Sequence, residues 1–431
     1  MANLRVGTGI TFDGATGNFN TLGIGTVRGA FNATGAINAT GAINATSGLN
    51  VGTAATIHAN GNVTCGIITT TSIVNSEPLS HRNKVINGGM IISQRNGTSS
   101  VQLSATEVYT VDRFKSDQGS SFNITADASQ VTDHPIGFSN ALKIQCDATN
   151  TPTGGHNGGV STFLEGLDVQ DFGFGSSGAK PITVSFYAKS ASANSGQTFG
   201  FMLGYSRSSD SARVKQSRSF TVTDSWQRFV FTFEPNGASQ SDGIVNTTAY
   251  GLQLFWSLAC GPDDALSEIT TWTAASPLVG VSGQSNLFDT VSNQFFLTGV
   301  QCEVGSSATP FEHRSTADEL RRCQRYFQRV NGSLTGVGAN ATTIRANYTP
   351  IVNFRASPTI TGNNGVSFND PGVASPTQTS FNCGLQFTYT PNNIGMTLGF
   401  GNFPSNGQTA QGKPYIQWDS ATDYIDFDAE L

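Results

Sequence analysis

Three consecutive hexapeptides constrain this chain most: Gly29-Ala30-Phe31-Asn32-Ala33-Thr34, Gly35-Ala36-Ile37-Asn38-Ala39-Thr40 and Gly41-Ala42-Ile43-Asn44-Ala45-Thr46. A short fixed period means a quasi-linear structure built by stacking. One bulky apolar residue in six cannot close a core within a single strand. Three chains wound together would pack Phe31, Ile37 and Ile43 along a shared axis. The alternative is a flexible Gly-rich linker. The regularity of the repeat weighs against it, as do the β-branched residues Ile24, Val27, Ile57, Val63, Ile67 and Ile68. Residues 1–75 carry only Arg5, Asp13 and Arg28 as charged side chains, and they are expected to form a repetitive, intertwined β shaft.

The sequence changes character after this block. Residues 76–84, with Pro78, His81, Arg82 and Lys84, read as a polar junction. Residues 85–315 then carry short alternating runs. Ile182, Val184 and Phe186 share one face, as do Phe229, Phe231 and Phe233. Tyr250, Leu252, Leu254, Trp256 and Leu258 alternate with their neighbours, and so do Phe296, Thr298, Val300, Cys302 and Val304. Period-two patterning at this density predicts antiparallel sheets with one face buried, arranged as a jelly-roll-like β-sandwich. The fold class is all-β, and the shaft makes it an elongated fibre. Residues 316–330 have helical period, with Leu320, Cys323, Phe327 and Val330 on one stripe, and are expected to form a short helix linker. Residues 331–431 return to alternation (Phe381, Cys383, Leu385, Phe387 and Tyr389) and end on a closing strand at 424–431. They are expected to form a small C-terminal β domain.

Charge excludes some functions. Asp, Glu, Lys and Arg make up only 12% of the chain, so its surface is solvated by hydroxyls and amides. The net charge is −6 and no long basic tract occurs, which argues against a nucleic-acid partner. No run of about 18 apolar residues occurs, so no membrane insertion is expected. The N-terminal residues lack the basic and apolar regions of a signal peptide. Cys65, Cys146, Cys260, Cys302, Cys323 and Cys383 have no CxxC spacing and read as reduced, buried thiols.

No nucleotide loop, zinc-protease or serine-hydrolase motif occurs, and the five histidines are dispersed. Glycoside cleavage needs two carboxylates about 5–9 Å apart. The available acids, Glu165, Asp168 and Asp171 or Asp263, Asp264 and Glu268, lie in turn-like sequence. The second group reads as an acidic turn rather than a Ca²⁺ site, so no metal, no cofactor and no catalytic residue is expected. Sugar binding needs an apolar platform beside polar groups. The candidates are Trp272, with Tyr205 and Arg207 at its rim, and Tyr415 with Trp418 near the C-terminus. Trp226 and Trp256 lie in strand-like runs and read as core.

Several phrases resemble tail-fibre proteins of bacteriophages that infect marine bacteria and cyanobacteria. They are Val85-Ile86-Asn87-Gly88-Gly89-Met90 with Gln94-Arg95, Tyr109-Thr110-Val111-Asp112-Arg113-Phe114, and Leu297 to Gly305 with Ala308-Thr309-Pro310-Phe311-Glu312. Leu320 to Phe327, Arg355-Ala356-Ser357-Pro358-Thr359 and Asp428-Ala429-Glu430-Leu431 complete the series. Cys302 departs from the aliphatic residue usual there. The Trp226 strand and the Gln301-Glu303-Gly305 strand also resemble carbohydrate-binding-module sandwiches. The resemblance implies a homotrimeric fibre of the virion, made in the host cytoplasm. Its N-terminal region would join other tail or baseplate proteins, and its outer domains would attach to a host surface glycan as receptor. A purely structural virion fibre or head decoration protein is the alternative, followed by a glycan-depolymerising tailspike.

Overall fold

The alternating runs in the middle of the chain become two antiparallel sheets. The six-stranded sheet is ordered Gln227–Phe233, Ile182–Ser190, Gln294–Val304, Ala141–Cys146, Ala126–Val131, Val101–Leu103. The five-stranded sheet is ordered Arg213–Thr221, Thr198–Ser206, Tyr250–Cys260, Asn157–Glu165, Phe114–Gly119. The structure is a computed structural model. It describes residues 80–103, 107–119, 122–236, 242–274, 280–331, 335–340, 343–362 and 424–431, and the strand segments 4–5, 10–13, 18–21, 49–51, 55–57, 63–65, 366–369, 378–380, 382–385, 396–401 and 414–417.

Aromatic side chains from the two inner faces interlock. Phe186 lies 5.4 Å from Phe201 and 5.5 Å from Trp256, ring centre to ring centre, and Phe201 and Trp256 are 5.3 Å apart. All three are fully buried. Burial of one such side chain contributes roughly 1.5–3 kcal/mol. The inner positions of Phe229, Phe231 and Phe233 agree with their shared period, since all three pack on this core.

The strand Gln294–Val304 departs from simple alternation. Ser185 pairs with Gln301 but Tyr187 pairs with Thr298, so the strand bulges between them. Gly299 sits in the bulge with φ of 61°, a left-handed conformation that suits glycine. The extra residue reverses parity. Val300, Cys302 and Val304 face the core, whereas Phe296, paired with Lys189 and Lys143, lies on the outer face. The single shared face expected for residues 296–304 is corrected accordingly.

The helix covers Thr316–Gln324. The Ser315 hydroxyl accepts from the Asp318 N–H at 3.2 Å, acids fill the first turn and arginines the last. Cys323 is buried with Ile86, Ile92 and Tyr326, and Leu320 packs on them. The expected helix over 316–330 is too long. Phe327–Val330 is a strand that pairs with Ile425–Asp428, which in turn pairs with Thr359–Gly362. The aromatic and β-branched ends of this segment, and the Arg329–Asp426 pair at 2.7 Å, favour the ladder over another helical turn.

The closing strand expected at 424–431 is present as Ile425–Asp428. Ile344, Tyr348, Phe354, Leu398, Ile425 and Phe427 form an apolar cluster of the C-terminal block. A seven-stranded sheet, ordered Gln378–Ser380, Val366–Asn369, Pro414–Gln417, Thr335–Asn340, Thr343–Tyr348, Met396–Gly401, Asn382–Leu385, belongs to the same block. Arginines join block and sandwich. Arg95 meets Asp428 at 2.9 Å and lies 3.6 Å from the centre of the Phe327 ring. Arg325 bonds Glu165 at 2.8 and 2.9 Å, and Arg355 donates to the Thr248 carbonyl at 3.0 Å.

The chain divides into two compact units, Met1–Asn75 and Ser76–Leu431. The first contains two three-stranded antiparallel sheets, one of Leu4–Arg5, Ile10–Asp13 and Asn18–Thr21, the other of Leu49–Val51, Ala55–Ile57 and Val63–Cys65. The hexapeptides, with Phe31, Ile37 and Ile43, lie outside the described residues. Cys146, Cys260, Cys302 and Cys323 are unbridged.

Candidate functional site

The aromatic residues singled out in the sequence do not form an open platform. Tyr205 is fully buried, because strand alternation sets it on the inner face with Phe201 and Leu203. Its hydroxyl donates to the Asp242 carbonyl at 2.8 Å. This corrects its placement on a binding rim. Trp272 packs against Tyr205 at 5.2 Å, Phe174 at 5.5 Å and Phe233 at 6.2 Å, and its indole N–H donates to the Glu234 carbonyl at 2.7 Å. Arg207 is held by both carboxylate oxygens of Asp210, at 2.9 and 2.5 Å. The three residues do gather at one end of the sandwich, as a packed and internally bonded closure. Tyr415 lies in the strand Pro414–Gln417, opposite Gly336, and its side chain is outside the described residues, as is all of Trp418.

A different set of rings lies on the outer face of the six-stranded sheet. Trp226, expected in the core, is half-buried there and stands edge-on to Phe296 at 6.2 Å. Lys189 lies 4.8 Å from the Phe296 ring centre and 5.6 Å from that of Trp226. Asp133 joins them, meeting the Lys189 ammonium at 2.6 Å and accepting from the Trp226 indole at 3.1 Å. Partial burial pushes the Asp133 carboxyl up, but these two hydrogen bonds outweigh it and hold the pKa below the ordinary carboxylate value. Two residues along the strand, about 7 Å on, Tyr187 projects from the same face. It meets Phe138 at 5.3 Å, and Phe138 meets Phe311 at 5.0 Å and His313 at 5.3 Å. Phe311 and His313 are 4.8 Å apart.

Local chemistry fixes this row. A Cβ at Gly299 would lie 2.7 Å from Phe138 and 2.8 Å from Tyr187, so the bulge glycine makes the floor beneath both rings. Phe311 is placed by hydrogen bonds on either side of it. The Thr309 N–H and hydroxyl donate to Glu303 at 2.9 and 2.6 Å, and the Glu312 N–H donates to the Gln301 side-chain oxygen at 2.8 Å. Gln301 and Glu303 thus pin the segment that carries Phe311 to the sheet.

Beside this row is a pocket of about 250 Å³. Phe138, Phe311 and Ile91 give it apolar walls, and Asn83, Glu312, His313, Arg314 and Glu319 give it polar ones. Gly88 closes against the strand Gln294–Val304, where a Cβ would lie 2.0 Å from the Val300 carbonyl oxygen. The Asn83 N–H donates to Glu312 Oε2 at 2.8 Å. Arg314 Nη1 donates to the Val85 carbonyl at 3.0 Å, Nη2 donates to the Asn83 carbonyl, and Glu319 lies 3.3 Å from Nη1. These residues lie far apart in the chain, which is why periodicity did not reveal them. Phe311 and Glu312 stood in a quoted phrase without an assigned role.

Several of the acids weighed for cleavage are engaged elsewhere. Glu165 is buried against Arg325, Asp171 meets Lys84 at 2.8 Å, and Glu268 accepts from the Ser219 N–H at 2.7 Å. Among the described residues no group of three or more His, Cys, Asp or Glu side chains is placed to hold a metal ion. Among them, too, no helix is long and apolar enough to cross a membrane.

No protein-family model matches the chain, and no curated protein matches it. Similar solved structures include the enzymatically active domain of bacteriophage CBA120 tailspike protein 4. It is 11% identical with a TM-score of 0.28, over 52% of this chain and 21% of the tailspike chain. The family 11 carbohydrate-binding module of the Clostridium thermocellum cellulase Lic26A-Cel5E is 14% identical with a TM-score of 0.26, over 51% of this chain and 100% of the module. The CBM22-1 xylan-binding domain of Paenibacillus barcinonensis Xyn10C is 13% identical with a TM-score of 0.25, over 49% of this chain and 99% of that domain.

Proposed function

We propose that this protein is a phage-type adhesin that holds a host surface glycan on the outer face of its six-stranded sheet. The observation that carries the reading is a pair of ring groups on this face, the part-exposed Trp226 with Lys189 over the buried Phe296, and the part-exposed Tyr187, Phe138 and Phe311 in successive ring contact. Sugar rings present C–H faces that stack on aromatic rings and hydroxyls that seek charged or amide groups. Asp133, Lys189, His313 and Glu312 stand along the row for the second task. The tail-fibre-like phrases of the sequence point to the same use.

In this reading the chain acts as a homotrimer in the virion tail, with residues 1–75 forming the shaft and joining other tail or baseplate proteins. Three weak sites on one particle gain about 10²–10⁴-fold in apparent affinity by avidity. The protein binds the glycan and does not cleave it. The test is binding of the full chain to host cells and to polysaccharide extracted from them, with reducing ends assayed in parallel. Retention on the polysaccharide without release of ends is expected. Failure to bind either material would refute the adhesin reading, and release of ends would make the protein a depolymerase.

A further inference from the structure

We propose that the pocket beside Phe311 receives one terminal pyranose unit without an acidic group, anchored by the Nε–H of Arg314 and the carboxylate of Glu312. The inference rests on the glycan reading above and names the part of the glycan that this site selects.

Arg314 is the key residue. Its side chain is 8% exposed and two of its three nitrogens are bonded to the protein, Nη1 to Val85 and Glu319 and Nη2 to Asn83. Its Nε is buried with no hydrogen-bond partner. A buried N–H without an acceptor is unfavourable and calls for a group that the protein itself does not supply. Arg314 lines the pocket, so this unpartnered donor belongs to a residue of the pocket wall. Glu312 complements it. Its Oε2 accepts from Asn83, and no described residue bonds its Oε1. The two side chains are neighbours, Arg314 Nη2 lying 4.0 Å from Glu312 Oε2, and such a donor and acceptor suit neighbouring hydroxyls of a sugar, one accepting from Arg314 and one donating to Glu312. Phe138 and Phe311 offer the apolar wall for the C–H face, with Ile91 also lining the pocket.

Size and charge narrow the class. About 250 Å³ is below the roughly 300–1,000 Å³ of sites for drug-sized ligands, and it suits one ring. A chain entering by that ring continues outside, over Phe138 and Tyr187. Two carboxylates, Glu312 and Glu319, face one guanidinium, so a carboxylated sugar would meet like charge.

The experiment uses the full chain and a panel of methyl glucoside, galactoside, mannoside and fucoside, with glucuronate and glucosamine as charged probes, followed by ligand-observed NMR. Host polysaccharide is the separate positive ligand. The plug variant is Gly89→Leu. A Cβ at Gly89 lies 3.8 Å from the Phe311 ring, an ordinary contact, so the larger side chain extends into the pocket. Phe311→Ala is a second variant that removes the wall instead, and Lys215→Met, on the other sheet, is the control. At least one neutral pyranoside is expected to bind the unaltered chain and Lys215→Met equally. That binding should fall at least ten-fold in both pocket variants, and glucuronate should bind at least ten-fold more weakly than the neutral sugar. Polysaccharide binding that persists unchanged in Gly89→Leu and Phe311→Ala, with no pyranoside bound by any form, overturns the pocket inference and leaves the adhesin reading standing. Preference for glucuronate overturns the assignment to a unit without an acidic group. Absence of polysaccharide binding by the unaltered chain overturns the reading on which the inference rests.

Discussion

Arg113 and Glu430 are 317 residues apart in sequence and form an ion pair with side chains only 2% and 4% exposed. The Arg113 guanidinium carbon also lies 3.5 Å from the centre of the Tyr326 ring. Glu430 reaches Arg95 at 3.3 Å as well. Removing the carboxylate would leave a buried guanidinium without its counter-charge. Glu430→Ala is expected to destabilise the 76–431 unit by about 3–5 kcal/mol, read by chemical denaturation. A loss below about 1 kcal/mol would mean that solvent reaches Arg113.

Gly299→Ala tests the floor of the aromatic row. The new methyl would strike Phe138 and Tyr187, and φ of 61° disfavours it further. A loss of roughly 1–3 kcal/mol in stability is expected, together with weaker polysaccharide binding at temperatures where the variant remains folded. Unchanged binding by a folded Gly299→Ala chain would separate the row from glycan recognition.

Trp226→Ala removes one end of the row. The residue is half-buried, so stability should change by less than about 1 kcal/mol. Polysaccharide affinity should fall about five-fold, the equivalent of roughly 1 kcal/mol of ring stacking. Isothermal calorimetry with host polysaccharide measures it, and equal affinity would count against this end of the site.

Trp272→Ala should do the opposite. Its ring fills the space between Phe174, Tyr205 and Phe233. Thermal unfolding should register a loss of about 3 kcal/mol, while the folded fraction should bind polysaccharide as before. A glycan-binding defect at full stability would restore Trp272 as a contact residue.

Lys215 provides the pH test. It is almost fully buried on the outer face of the five-stranded sheet, and no described carboxylate lies within ion-pair distance. Burial first, and the neighbouring Arg213 second, lower its pKa to about 8. Between about pH 8 and the ordinary lysine value of about 10.4, the unfolded chain binds more protons than the folded one. Stability at this site therefore rises with pH across that window. Below pH 8 both states are protonated and the burial penalty is fully present. Lys215→Met should stabilise the protein at pH 7 by about 1–3 kcal/mol and flatten this part of the denaturation profile.

The sandwich was legible because Phe186, Phe229, Phe231 and Trp256 repeat with period two, and burial of alternate residues requires that pattern. Tyr205 obeys the same rule, and placing it at the rim of Trp272 ignored its parity with Phe201 and Leu203. Phe296 could not be placed by parity, because the bulge at Gly299 reverses it and one sequence does not mark where a bulge falls. The helix start at Thr316 was readable from its acids. Its end was not, because Phe327 and Val330 fit a helical stripe and a strand equally until Ile425–Asp428 is there to pair. The site escaped for a related reason. Phe138, Tyr187 and the stretch from Phe311 to Arg314 come from three separate segments, and only the folded register brings them together.

The strand Ile425–Asp428 lies between Phe327–Val330 and Thr359–Gly362 and pairs with both. Its Asp426 meets Arg329 across 97 residues of chain. During synthesis at about 5–20 residues per second, the Phe327–Val330 ladder therefore waits some 5–20 s for its partner. Until then Arg329, Arg95 and Arg113 lack their acids, and like charge keeps those surfaces apart. The late segment Asp426–Glu430 neutralises all three, so until it arrives the edge of Phe327–Val330 is flanked by positive charge, which disfavours pairing with an identical edge.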